Sequence, residues 1–132
     1  MTAANKLDLS QFFGSASFQR FGLTRDISSE GVTHFAEEMD AFWLLDTISA
    51  LLVELKMNGK DLDFAVVKIQ KNTDPRNDDD ARIVIEDGNY EMIHTHNVEF
   101  TDLDFTRLPD NFQIWCGRNE LDSFTLYLPS EH

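Results

Sequence analysis

The sequence predicts an α+β protein of one domain, spanning residues 1–132, in which N-terminal helices pack on an antiparallel sheet of about four or five strands. Two observations predict this class. Ala41–Leu55 (AFWLLDTISALLVEL) is the longest apolar run and has helical period, whereas the segments after residue 60 are short and alternate with period two. A chain of 132 residues is long enough to bury a core without disulfides, and it contains no linker or repeat.

The first forty residues predict short elements. Residues 1–8 are polar and are expected to fray. Leu9–Phe13 and Ser17–Phe21 each predict a helical turn, and Leu23–Ile27 predicts a short strand. Ser28-Ser29 then predicts the N-cap of a helix. The apolar residues of this helix recur at the spacing of one face: Val32, Phe35, Ala36 and Met39.

A long amphipathic helix is predicted over about residues 40–57, ended by Asn58-Gly59. Asp40 either caps this helix or marks a kink in a continuous one. Trp43 and Asp46 lie outside the main apolar arc. The residues that share the apolar arc are Ala41, Leu44, Leu45, Ile48, Leu51, Leu52 and Leu55.

Period-two segments follow, and Asp87-Gly88 is a strong hairpin signal between two of them. Residues 71–80 predict a polar loop, and residues 100–108 predict a loop or a short helix. The predicted strands are Phe64–Gln70, Ala81–Glu86, Tyr90–Val98, Phe112–Cys116 and Phe124–Leu128.

Acidic residues dominate the charge of the chain, with 24 Asp and Glu against 11 Lys and Arg and a formal net charge of -13. Such a surface repels nucleic acid and anionic membranes and favours basic partners, although solubility alone also explains acidity. The only cysteine, Cys116, leaves no intramolecular disulfide, and no secretion signal begins the sequence. The apolar run is shorter than the about 20 residues that a membrane span needs. We therefore expect a soluble, cytoplasmic protein.

Several segments resemble one protein family: GVTHFAEEMDAFWLLDTI (31–48), EDGN (86–89), FTDLDF (100–105) and LYLPSE (126–131). They are similar to segments of a family of short bacterial and phage or plasmid proteins that is known only as a domain of unknown function. Leu9–Ser15 matches the family's Leu-Ser-x-Phe-x-Gly-[ST] start, Phe42–Asp46 its aromatic-Trp-Leu-Leu-Asp core, and Phe100–Asp102 its aromatic-Thr-Asp segment. The resemblance covers nearly the whole chain. It implies a mobile-element context and no activity, cofactor or catalytic residue. Extra acids at 78–80 and a longer 71–80 loop depart from the family pattern.

Two histidines separated by one residue give the chain its one metal-site candidate. His94 and His96 fall on one face of a predicted strand, where two zinc ligands often lie. A third ligand would have to come from Glu86, Glu91 or His34. The alternative, which the small number of ligands favours, is a pair of polar residues on the exposed face of a half-buried strand. We therefore expect no metal and no cofactor.

Signals of catalysis are otherwise missing from the sequence. Asp46, an acid inside the apolar helix segment, is the best single candidate for acid–base chemistry, but a structural ion pair or backbone cap explains it better. Cys116 is interpreted as a small buried apolar residue. No Gly-rich phosphate loop, serine elbow or paired-cysteine motif occurs, so the sequence favours binding over catalysis.

Acids also concentrate locally. Between residues 78 and 104 the sequence contains nine acids and a single base, Arg82. If the strands pair as predicted, these carboxylates gather at hairpin ends and on one sheet face, where they stand in for the phosphates of a nucleic acid. The candidate partner-binding residues are Asp78, Asp79, Asp80, Glu86, Asp87, Glu91, Glu99, Asp102 and Asp104.

These observations favour a non-enzymatic protein-binding module. Its expected partner is a host protein with a basic, nucleic-acid-binding cleft, such as a defence complex of the CRISPR effector type. Two alternatives stay open. One is a self-associating structural protein that dimerises through Trp43, and the other is a metal-dependent enzyme that uses His94 and His96.

Overall fold

A computed structural model of the chain describes residues 18–20, 26–71, 79–99, 103, 105–109 and 111–131. These residues form two helices and a single sheet, which confirms the α+β class. The helices are α1 (Glu30–Glu38) and α2 (Phe42–Met57), followed near the end of the chain by a 3-10 turn at Pro129–Glu131. The strands are β1 (Phe18–Arg20), β2 (Ile27–Ser29), β3 (Phe64–Lys71), β4 (Asp79–Glu86), β5 (Met92–Glu99), β6 (Gln113–Arg118) and β7 (Phe124–Tyr127).

The sheet has seven strands in the order β1-β2-β7-β6-β3-β4-β5. All neighbours are antiparallel except β2 and β7, which run parallel. The expectation of an antiparallel sheet of about four or five strands was therefore wrong in strand number and direction. β1 and β2 have only three residues each, which is too short for a period-two pattern to show, and the partner of β2 is distant in sequence.

Local assignments differ from the sequence predictions mainly at the ends of elements. The helical turn expected at Ser17–Phe21 was wrong, because residues 18–20 form β1. Tyr90 belongs to a turn and not to a strand, since β5 begins at Met92. The expected strand at Leu23–Ile27 overlaps β2 only at Ile27, and its first three residues lie outside the described residues. The predictions for residues 1–8 and Leu9–Phe13 also fall outside them.

Both helices pack on one face of the sheet, where they form a continuous apolar core. Alternate residues of β3 face this core: Ala65, Val67 and Ile69 are buried, whereas the residues between them are half-buried. Phe35 of α1 stacks on Phe112 at a ring-centroid distance of 4.5 Å. All seven residues of the predicted apolar arc of α2 are buried, namely Ala41, Leu44, Leu45, Ile48, Leu51, Leu52 and Leu55. Within the described ranges, neither helix has the length and apolar character needed to cross a membrane.

The two helices are separated by a left-handed residue, Asp40, whose φ is 50°. The backbone N–H of Ala41 donates to the carbonyl of Ala36 at 2.8 Å, and that of Asp40 donates to Glu37 at 3.4 Å. This pattern is a Schellman motif, which satisfies the last carbonyls of a helix. Asp40 therefore ends α1 and does not cap α2, whose N-cap, Ala41, makes no side-chain cap.

The N-terminus of α1 is held by the buried carboxylate of Glu131. Its Oε1 accepts hydrogen bonds from Ser29 Oγ at 2.5 Å and from the Leu128 N–H at 2.9 Å, and its Oε2 accepts the Gly31 N–H at 3.1 Å. An anion at a helix N-terminus is favourable because the free N–H groups point at it. A Cβ at Gly31 would lie 2.5 Å from Leu128 Cδ1, so only glycine permits this approach.

A second buried carboxylate, Asp26, joins the helix layer to the sheet. Its Oδ2 accepts the hydroxyl proton of Ser49 on α2 at 2.6 Å, and its Oδ1 accepts the N–H of Phe124 at the start of β7 at 2.8 Å. These bonds compensate for the loss of hydration that burial of a carboxylate entails. Asp26 thereby fixes the entry of β2 relative to α2 and β7.

Replacement of Glu131 by alanine should lower the free energy of unfolding by about 3 kcal/mol, because three hydrogen bonds to a charged group are lost and two buried N–H groups lose their partner. Urea denaturation followed by circular dichroism measures this change. Glu120→Ala is the matched control, since Glu120 is exposed in the β6–β7 turn, and it should change stability by less than about 0.5 kcal/mol. Equal effects of the two substitutions would contradict the assigned role of Glu131.

Candidate functional site

The face of the sheet that points away from α1 and α2 carries a row of aromatic side chains. Phe64 and Trp115 meet edge to face with ring centroids 5.4 Å apart, and Trp115 and Tyr127 meet in the same way at 6.2 Å. The three residues come from adjacent strands, β3, β6 and β7. All three are half-buried. Burial raises the pKa of the Tyr127 hydroxyl.

A groove of about 490 Å³ runs beside this aromatic row, between β6, β3 and the turn that joins β4 to β5. Its volume is within the usual range of ligand-binding clefts. The walls are mostly apolar. They also contain an ion pair, in which Lys68 Nζ lies 3.2 Å from Glu86 Oε2. The lining residues are Phe64, Val66, Lys68, Glu86, Asp87, Gly88, Tyr90, Gln113 and Trp115. We name this site the open-face groove.

The β4–β5 turn, which forms one wall of the groove, is organised by the Asp87 carboxylate. Asp87 Oδ1 accepts the backbone N–H of Asn89 at 2.8 Å and that of Glu91 at 3.0 Å. The Asp87 N–H donates to the Glu91 carbonyl at 2.9 Å. The hairpin predicted from Asp87-Gly88 is thus confirmed, although the turn extends to Glu91. Gly88 lies against Phe64, since a Cβ there would be 3.3 Å from the ring.

Tyr90 ends this turn in a backbone conformation that is unusual for its side chain. Four non-glycine residues in the described part of the chain have positive φ, and the other three are Asp40, Asn111 and Asp122. Asn and Asp adopt this conformation at low cost, whereas a bulky residue is strained in it. The Tyr90 side chain is also 87% exposed, so packing does not repay the strain. Strained residues of this kind cluster at functional sites.

The described members of the predicted acidic surface lie at both ends of the β4–β5 hairpin. Asp79 pairs with Glu99 at one end, whereas Glu86, Asp87 and Glu91 lie at the other, about 23 Å away for a strand of eight residues. Glu86 and Asp87 line the open-face groove, and Glu91 is exposed beside it. Asp80 is also in β4, while the predicted site residues Asp78, Asp102 and Asp104 lie outside the described residues.

His94 and His96 pair with Ile85 and Ile83, two buried residues, and therefore lie on the helix-covered face of β5. Both histidines are half-buried, so the alternative of an exposed face was wrong. Glu86, which was considered as a third ligand, lies on the opposite face, because it follows Ile85 in an alternating strand. Among the residues that the structure describes, no group of three or more His, Cys, Asp and Glu side chains is placed to hold a metal ion.

Trp43, the candidate for self-association, is half-buried and packs against the core from the start of α2. Its carbonyl accepts the Thr47 hydroxyl proton at 2.8 Å. Asp46 is exposed on the polar side of the same helix, as its position outside the apolar arc predicts. Neither residue lines the open-face groove.

Cys116 is fully buried in β6 on the helix-covered face, which confirms the prediction of a buried apolar role. Burial raises the pKa of its thiol well above the usual range, and the nearby Asp26 carboxylate adds to this effect. A thiol without access or thiolate character is a poor nucleophile.

The open-face groove was not found from the sequence, although a signal for it is present. Phe64, Val66 and Trp115 occupy the positions of β3 and β6 that alternate with the buried residues, where an exposed face usually carries polar side chains. Large apolar groups at such positions indicate an interaction surface. Tyr90, which completes the groove, lies in the turn of the β4–β5 hairpin, and its proximity to Trp115 depends on the order of the strands.

The architecture and the groove define an α+β protein with one helix-covered face and one aromatic face. The chain matches a family of unknown function (DUF6876) over residues 3–132 and belongs to that family. This result confirms the resemblance to a family of unknown function that the sequence indicated. Neither a curated protein nor a solved structure gives a significant match to the chain.

Substitution of Tyr90 by asparagine should raise the free energy of unfolding by roughly 0.5 to 1 kcal/mol, because asparagine tolerates positive φ better than tyrosine does. Thermal and urea denaturation measure the change. Leu121→Asn is the control, since it removes an exposed apolar side chain from the β6–β7 turn at a residue without positive φ. Destabilisation by Tyr90→Asn would show that the ring stabilises the fold, contrary to the assignment of strain.

The thiol of Cys116 should react with a disulfide reagent only when the protein opens, because the side chain is fully buried and protonated. Absorbance measurements with Ellman's reagent should show reaction at once in 6 M guanidinium (about three times the concentration that unfolds many domains) and at least about 1,000-fold slower reaction in buffer. Fast reaction of the native protein would contradict the burial of this residue.

Proposed function

We propose that this chain is a non-enzymatic, acidic protein-binding module that binds a basic surface of a partner protein. The observation that carries the proposal is the β4–β5 hairpin at the edge of the sheet, whose two ends both carry acids. Arg82 is the single base between residues 78 and 104, against nine acids. Charges of one sign on two paired strands suit recognition of a surface of opposite charge.

The rest of the described surface supports the same function. Two bases in the described ranges are paired with neighbouring acids: Arg118 contacts Asp61, Asp63 and Asp122, and Lys56 Nζ lies 3.2 Å from Asp122 Oδ2. The net negative charge of the chain creates a field that attracts basic partners and accelerates association.

In its narrower form, the proposal identifies the partner as a bacterial protein with a basic cleft that normally binds nucleic acid. Carboxylates on the hairpin would occupy the positions of phosphates in such a cleft. This form includes an origin from a phage or plasmid, action in the cytoplasm of the host, and inhibition of a defence complex of the CRISPR effector type. The acidic charge and the separation of acids along the hairpin support it.

Two triple variants with the same change in net charge test the proposal. In the first, lysines replace Asp79 and Asp80, which begin β4, and Asp78, which precedes them in the sequence. In the second, the lysines replace Glu37, Asp46 and Glu54, which are exposed on the helix layer. The tagged protein first recovers a partner from host lysate after nuclease treatment, and calorimetry then measures the affinity of each variant for that partner.

The hairpin variant should weaken binding at least about tenfold, whereas the helix variant should weaken it by less than about threefold, because close charge pairs contribute more than net charge does. Double-stranded DNA should compete with the wild-type protein for the partner. The same loss in both variants would indicate attraction by net charge alone. Unchanged affinity in the hairpin variant would exclude the proposed surface.

A further inference from the structure

The open-face groove combines aromatic side chains with a carboxylate oxygen that has remaining capacity to accept hydrogen bonds. Tyr90 lies at one wall with its ring 87% exposed, and Trp115 lies in the opposite part of the lining on β6. The electron-rich face of an aromatic ring attracts a cation, and tryptophan and tyrosine attract it most strongly. Met92, 63% exposed, adds a further apolar side chain close to the turn.

The acceptors of the groove come from its two acidic residues. Both side-chain hydrogen bonds that organise the turn are accepted by Asp87 Oδ1, so Oδ2 can still accept hydrogen bonds from a ligand. Lys68 neutralises the charge of Glu86 in an ion pair. The charge of Asp87 is then left over, so the groove has a net negative charge. Glu91, exposed at the rim, strengthens this potential. A partner group that fits the groove is cationic.

We propose that the open-face groove binds an arginine side chain from a basic segment of the partner, a proposal that rests on the function proposed above. The guanidinium stacks between the rings of Tyr90 and Trp115 and donates hydrogen bonds to Asp87 Oδ2. Arginine fits better than lysine, because its planar, weakly hydrated group stacks on aromatic rings while its N–H groups donate to Asp87 Oδ2. The volume of about 490 Å³ accommodates one long side chain and part of its backbone.

The conformation of Tyr90 agrees with this role. Three other positive-φ residues in the described ranges are Asp or Asn, which avoid strain. A tyrosine at this position lowers the stability of the protein and supplies a ring at the wall of the groove. Residues that serve function commonly reduce stability in this way.

The test uses three peptides of matched length: acetyl-Gly-Arg-Gly-Arg-Gly-amide, the same peptide with lysine, and the same peptide with citrulline, the neutral isostere of arginine. The protein carries Trp43→Phe, so that Trp115 is its single tryptophan. Fluorescence titration and the NMR signal of the Trp115 indole N–H report binding. Tyr90→Asn removes the ring without backbone strain, and Met57→Ala, at an 81% exposed residue of α2, is the matched control.

The arginine peptide should bind at least about fivefold more tightly than the lysine peptide, and the citrulline peptide should show no saturable binding. Tyr90→Asn should weaken binding of the arginine peptide about tenfold, and Met57→Ala should leave it unchanged. Circular dichroism confirms that each variant is folded.

Equal binding of the arginine and lysine peptides, unaffected by Tyr90→Asn, would show attraction by charge alone and overturn the proposal for the groove. Binding of none of the peptides would overturn it as well. The proposed function is tested separately by the lysine variant at residues 78–80, of which Asp79 and Asp80 lie at the other end of β4. Loss of partner binding there, with no effect of Tyr90→Asn, would reject the groove and retain the acidic module.

Discussion

The burial of one face of the sheet beneath α1 and α2 determines where the other groups of this protein lie. Leu45, Ile48 and the rest of the apolar arc of α2 need an apolar surface, and alternate residues of the central strands provide it. Since side chains alternate along a strand, this choice also places Phe64 and Trp115 on the opposite face. The core and the open-face groove are therefore two consequences of one register. A slip of one residue in β6 would place Trp115 in the core instead of Cys116.

Two buried carboxylates fix the orientation of the helices and strands, which apolar packing alone does not determine. Apolar contact fixes the distance between the helix layer and the sheet, but it is non-directional. Asp26 and Glu131 add direction, because each accepts hydrogen bonds from elements far apart in sequence. They hold β2 and the start of α1 against β7 and the residues that follow it. Among the described residues, these two buried acids order the fold, whereas the acids of the β4–β5 hairpin belong to the surface proposed to bind a partner.

The sequence contained the class of the fold and the centre of the molecule, but not the edges of the sheet. The apolar arc of α2 and the end of that helix at Asn58-Gly59 follow from local patterns, and Gly59, with φ of 85°, indeed closes a Schellman motif. β1 and β2 are too short to show a period, and the parallel pairing of β2 with β7 joins distant segments. For the site, the sequence located Glu86 and Asp87 correctly at a hairpin end. It did not reveal Trp115 beside them, because the order of strands is a property of the whole fold.

The bond between Ser29 and Glu131 spans 102 positions of the chain, and it has a consequence for biosynthesis. The β3–β4–β5 meander is local and can assemble while the chain is still being made. The first helix, in contrast, receives its anionic partner only after residue 131 has left the ribosome, and β2 waits similarly for β7. The acidic hairpin thus lies on the part of the chain that can form early, whereas the aromatic row, with Trp115 on β6 and Tyr127 on β7, is completed only when the last strands are made.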